Sequence, residues 1–97
     1  MTDLELTKLA AEAIGIDLND GYLYEDSEGS VRSYNPLHDD AQALALVKKF
    51  NIGWDKEEGS DWHVALRCGQ SMFVAHNADL NRAIVECVAK VSEKRSV

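Results

Sequence analysis

The densest run of side chains able to do chemistry is His38-Asp39-Asp40. An imidazole beside two carboxylates is a donor set for a divalent cation, or the makings of an acid–base pair. Used that way, it would serve a small metal- or ligand-binding domain or a weak hydrolase. The same residues follow Pro36 and lead into the apolar-periodic stretch Ala41 to Phe50. In that setting Asp39 is a helix N-cap, Asp40 favours the helix dipole, and Gln42 stands where a capping box reaches back. Adjacent helical side chains do not converge on one point. The capping reading is favoured, and no catalytic residue is assigned.

His63, Cys68, His76 and Cys87 are the remaining soft ligands. Trp62 to Cys68 alternates cleanly, which puts His63 and Cys68 on opposite strand faces. A four-ligand zinc site is therefore awkward, although His63 and His76 can be cross-strand neighbours on a hairpin turning at Gly69-Gln70. In Asp17-Leu18-Asn19-Asp20-Gly21 the glycine comes too early for a calcium loop and no closing Glu follows, so an Asx-rich turn is the better account. Neither a nucleophile elbow nor a glycine-rich phosphate loop is visible. No cofactor and no metal are expected, and the chain reads as a non-enzyme.

Acidity is the other chemical feature. Residues 1–40 carry ten acids against two bases, and residues 41–97 carry seven against eight, for a net charge of −7. Such a balance lacks the basic footprint that nucleic acid or an anionic membrane requires. It suits a partner protein with a basic surface. The candidate contact residues are Tyr22, Tyr24, Glu25, Asp26 and Glu28, where two aromatics on one strand face adjoin three acids. Trp54 and Trp62 bracket a polar loop over 55–61 and are read mainly as half-buried core.

These groups need elements to hold them. Leu6, Leu9, Ala10 and Ala13 recur at helical spacing, predicting a helix over 3–14 that starts at Thr2 or Asp3 and stops at Gly15. Tyr22–Glu25 and Val31–Tyr34 form a hairpin around the Gly29 loop. A second helix spans about 39–51, closed by Asn51 or Gly53, and a second hairpin joins Trp62–Cys68 to Ser71–His76. Asn77 caps a last helix over about 78–94, with Leu80, Ala83, Ile84, Cys87, Val88 and Val91 as its stripe. The result is one α+β domain over 1–97, helices packed on an antiparallel sheet in the order α-β-β-α-β-β-α, which should bury about 60–65% of its unfolded surface. The edge strands of such a sheet leave homodimer formation open. Met1 to Glu5 has no basic n-region, no stretch reaches membrane-spanning length, and both cysteines fall on apolar positions. A cytoplasmic setting with reduced thiols is expected.

Tyr34-Asn35-Pro36-Leu37, Asp39-Asp40, Ala43-Leu44 and the later run Asp79 to Glu86 resemble a family of small phage and prophage proteins, described as an α/β/α-sandwich domain of unknown function. The resemblance covers roughly residues 34–91. It implies a phage-encoded accessory protein in a bacterial cytoplasm, working on a host defence or regulatory factor, and it transfers no catalytic residues.

Overall fold

The computed structural model describes residues 2–56 and 61–95. Its first helix, α1, runs Asp3–Ala13, and Thr2 is its N-cap, with Thr2 Oγ1 accepting from the Glu5 backbone N–H at 3.1 Å. Gly15 takes φ +80 just past the Ile14 C-cap, a left-handed conformation that suits glycine. Strands β1 (Leu23–Glu25) and β2 (Val31–Ser33) pair as an antiparallel hairpin. β2 ends two residues short of Asn35-Pro36, where the chain turns: the N–H groups of His38 and Asp39 both donate to the Asn35 carbonyl.

Helix α2 spans Asp40–Phe50. Asp39 is its N-cap, accepting from the Gln42 N–H at 3.1 Å, and Asn51 closes it in the left-handed region at φ 54. Gln42 does not reach back to Asp39 as a capping box would. Its Oε1 accepts from the Asn35 N–H at 2.6 Å and its Nε2 donates to the Ser33 carbonyl at 2.9 Å. The side chain thus ties the helix start to the end of β2.

A three-stranded antiparallel sheet follows, in the order β3 (Gly53–Lys56), β4 (Trp62–Cys68), β5 (Ser71–Asn77). β3 is an addition to the expected order, so the chain reads α-β-β-α-β-β-β-α. Gly53-Trp54-Asp55-Lys56 has little intrinsic β preference, and pairing with β4 makes it a strand. Part of the expected polar loop, 57–60, lies outside the described residues. The two-residue turn at Gly69-Gln70 makes Cys68–Ser71 the closing hydrogen-bonded pair. Counting along the ladder from there, Arg67–Met72, Ala65–Val74 and His63–His76 are non-hydrogen-bonded pairs, whose strand backbones approach most closely.

The last helix, α3, runs Leu80–Arg95. Its cap is Asp79 rather than Asn77: Asp79 Oδ1 accepts from the Asn81 N–H at 3.0 Å, and the Asp79 carbonyl accepts from the Ala83 N–H. Asn77 makes the preceding Asx turn onto the Asp79 N–H. The stripe through Ala83, Ile84, Cys87, Val88 and Val91 is buried as expected, and so are Val85, Ala89 and Ser92. A helix apolar on nearly every side must be covered on nearly every side. The sheet covers one face of α3 and α1 another, while α2 packs beside it. The Ser92 hydroxyl donates to the Leu9 carbonyl, and Arg82 on α3 pairs with Asp3 at 2.6 Å.

The main core gathers Leu6, Leu46, Ile52, Val64, Leu66 and the α3 residues. A smaller cluster of Ala11, Leu18 and Tyr34, flanked by Ile14, Ile16 and Tyr24, joins α1 to the β1–β2 hairpin. Among the described helices, none covers the outer face of the three-stranded sheet, where His63, Arg67, Met72 and His76 are exposed. The layering is therefore one-sided about that sheet and differs from the α/β/α sandwich that the family resemblance implied.

Candidate functional site

The hairpin alternation decides which of the predicted contact residues reach solvent. Tyr24 is opposite Arg32 and turns inward, half-buried on the Tyr34 cluster, and Tyr22 is likewise half-buried. They do share a strand face, but it is the one turned toward the domain. The open face carries Leu23, Glu25, Val31 and Ser33, with Glu25 directly opposite Val31. Val31 is 68% exposed, a large apolar side chain set among acids. Leu23 and Val31 were not singled out from sequence; the period-2 pattern that paired the tyrosines places them on the other face.

Asp26 shapes the loop. Its Oδ1 accepts from the N–H groups of Glu28 and Ser30, each at 2.9 Å, and its Oδ2 accepts from Arg32 Nε at 2.6 Å. The hydrogen bond from the Arg32 guanidinium, helped by those backbone donors, holds the Asp26 carboxyl below the usual range. A lowered value means that this contribution is present at neutral pH and is lost as the pH falls through it. Glu25 and Glu28, both exposed, are the acids presented outward.

The His38-Asp39-Asp40 run does not converge. Asp39 caps α2, Asp40 Oδ1 accepts from Asn81 Nδ2 at 2.8 Å, and His38 is exposed. His63 and His76 do meet, as cross-strand partners with stacked rings, centroids 4.5 Å apart and planes 8° apart. Their non-hydrogen-bonded register brings the rings that close. Asp55 stands opposite His63 on β3. Among the described residues, no group of three or more His, Cys, Asp or Glu is placed to hold a metal ion.

Cys87 is buried, its thiol directed at the Phe73 carbonyl at 3.2 Å, and burial pushes its pKa up to about 11 against the opposing pull of Lys90. Cys68 is half-buried at the turn end of β4. With thiolate as the reactive form, Ellman's reagent at about pH 8 is expected to titrate Cys68 in the folded protein and Cys87 only after denaturant is added. Equal native rates for both thiols would contradict the buried placement. Tyr34 Oη is also buried and has no hydrogen-bond partner among the described residues; burial raises its pKa.

Sequence reasoning also missed a groove between α2 and the start of α3, about 480 Å³ in volume. Ala43, Val47, Leu80 and Ile84 form its apolar floor, and Asp40 and Asp79 stand at one end. Leu44 and Trp54 flank it, each 47% exposed. Trp54 is thus a surface aromatic, whereas Trp62 is half-buried with the Lys56 ammonium 5.0 Å from its ring centroid. A bound β3 was the missing signal, since only that strand carries Trp54 to the groove.

A solved structure of a phage protein from Bacillus cereus superposes with a TM-score of 0.77 over 97% of this chain and 89% of that one. This chain is similar in fold to a phage protein. Sequence identity between the two is 15%, so the likeness is one of fold. No family model and no curated protein matches the sequence. Among the described residues, no helix is long and apolar enough to cross a membrane.

Proposed function

We propose that the protein is a non-enzymatic accessory protein of phage origin, which acts in the bacterial cytoplasm by binding a basic surface on a host or phage protein through the β1–β2 hairpin. The observation that carries this reading is the exposed Val31 beside Glu25, at the two strand ends that flank a loop shaped by Asp26 and Arg32. An exposed apolar side chain rimmed by like charge is the composition of a protein contact, with burial supplying affinity and the acids supplying orientation and encounter rate. The fold-level likeness to a phage protein supports the phage origin. In its concrete form the reading is inhibition of a host defence or regulatory factor. The acids of the His38-Asp39-Asp40 run are engaged at the helix start and on Asn81, which supports binding over catalysis.

The test is capture from bacterial lysate at low and high salt, with wild type and with Glu25→Lys combined with Glu28→Lys. Both positions are exposed, so the thermal midpoint is expected to hold while capture of the dominant partner falls by about tenfold or more. A partner retained equally by the double variant would overturn the hairpin as the contact surface.

A further inference from the structure

The outward side of α2 is unusually bare. Of its eleven residues only Ala43 and Leu46 are buried, while Ala41, Leu44, Ala45 and Lys48 form an exposed stripe along its length. The stripe has a small-residue, apolar middle and opposite charges at its ends. Asp40 lies four residues before Leu44, and Lys48 lies four residues after it. The groove beside the stripe holds acids and no base.

We infer that this face docks a second copy of the same chain, with the two α2 helices antiparallel about a two-fold axis at Leu44. That operator places Asp40 opposite Lys48 of the second copy, and Lys48 opposite Asp40 of the second copy, so the surface is complementary to itself as a two-fold contact must be. A parallel pairing would set acid against acid and lysine against lysine. Antiparallel packing also aligns the helix dipoles favourably. Ala41 and Ala45 let the backbones approach, and Leu44 of each copy packs on Leu44 of the other at the axis. Asp40 spends Oδ1 on Asn81. Its second oxygen is in no hydrogen bond among the described residues. Eleven residues make a helix only about 16 Å long, so the contact is at the small end for protein interfaces and association is expected to be concentration-dependent.

Size-exclusion chromatography with light scattering, from about 10 μM to about 1 mM in about 0.15 M salt, reads this directly. Wild type is expected to climb from the 10.8 kDa chain mass toward twice that value. Asp40→Lys, Lys48→Asp and Leu44→Glu should each hold the chain at its single mass, with circular dichroism melts confirming that each is folded. Asp40→Lys combined with Lys48→Asp should recover the dimer. The Glu25→Lys, Glu28→Lys variant should follow the wild-type curve, which separates this surface from the hairpin. A single-chain mass at every concentration overturns the inference, even if a basic amphipathic peptide binds the groove. A dimer indifferent to all three single substitutions, or no recovery in the charge-swapped double, overturns it as well.

Discussion

Leu46→Ala is expected to lower the folding free energy by about 3 kcal/mol, in the middle of the range for a buried leucine truncated to alanine. Leu46 is 1% exposed and is the one large side chain that α2 buries completely. The helix touches α3 and β4, and its remaining contacts come from Ala43 and the half-buried Gln42, Val47 and Phe50. Removing Leu46 leaves a cavity that its neighbours, held by the sheet and α3, cannot close. For a domain of this size the loss corresponds to a fall of about 15 °C in the thermal midpoint. Urea unfolding of the variant against wild type measures it, and Leu44→Ala is the control, since an exposed leucine should change stability by under about 0.5 kcal/mol. A loss below about 1 kcal/mol at Leu46 would mean that α2 is not anchored where the structure puts its anchor.

Ala10→Leu tests the opposite failure, too much volume. Ala10 is fully buried on the face of α1 that meets α3, among Leu6, Thr7 and Ala13. Small residues here let the two helices lie close enough for the Ser92 hydroxyl to reach the Leu9 carbonyl and for Arg82 to pair with Asp3. Three additional carbons have no space to occupy, and separating the helices breaks those bonds. The expected cost is about 2 kcal/mol, read by the same unfolding measurement, although leucine is nearly as good a helix former as alanine. A variant as stable as wild type would show that the α1–α3 contact is loose.

The legibility of this chain follows the range of the interactions involved. The starts and stops of α1 and α2 were readable because Thr2, Gly15, Asp39 and Asn51 act on backbone groups a few residues away, whereas the start of α3 was read two residues early because the Asx turn of Asn77 looks in sequence like the cap that Asp79 makes. The β4–β5 hairpin was readable from its alternation and two-residue turn, and the His63–His76 pairing followed from it. The order of helices and hairpins, and their packing on antiparallel sheet, came from the same signals. β3 was not readable, since a four-residue strand containing Gly, Asp and Lys exists only through partners six to twelve residues away. The second buried stripe of α3, Val85, Ala89 and Ser92, was hidden for a related reason. Its small and polar members look like surface until α1 is laid against them. At the hairpin, periodicity correctly grouped Tyr22 with Tyr24 but carries no sign. Which face of a two-sided strand looks inward is set by the Tyr34 cluster beneath it.

Lys90 reaches from α3 to the Val74 carbonyl, at the midpoint of β5. Because Ala65–Val74 is a non-hydrogen-bonded pair, that carbonyl points away from β4, along the rim where a further strand would be recruited. The ammonium occupies the central acceptor that an incoming strand would need, and it leaves a charge where one would have to dock. Polymerisation by edge addition, the route by which short open sheets grow into fibrils, meets a built-in terminator on this side. The same lysine that helps fasten helix to sheet keeps the sheet finite.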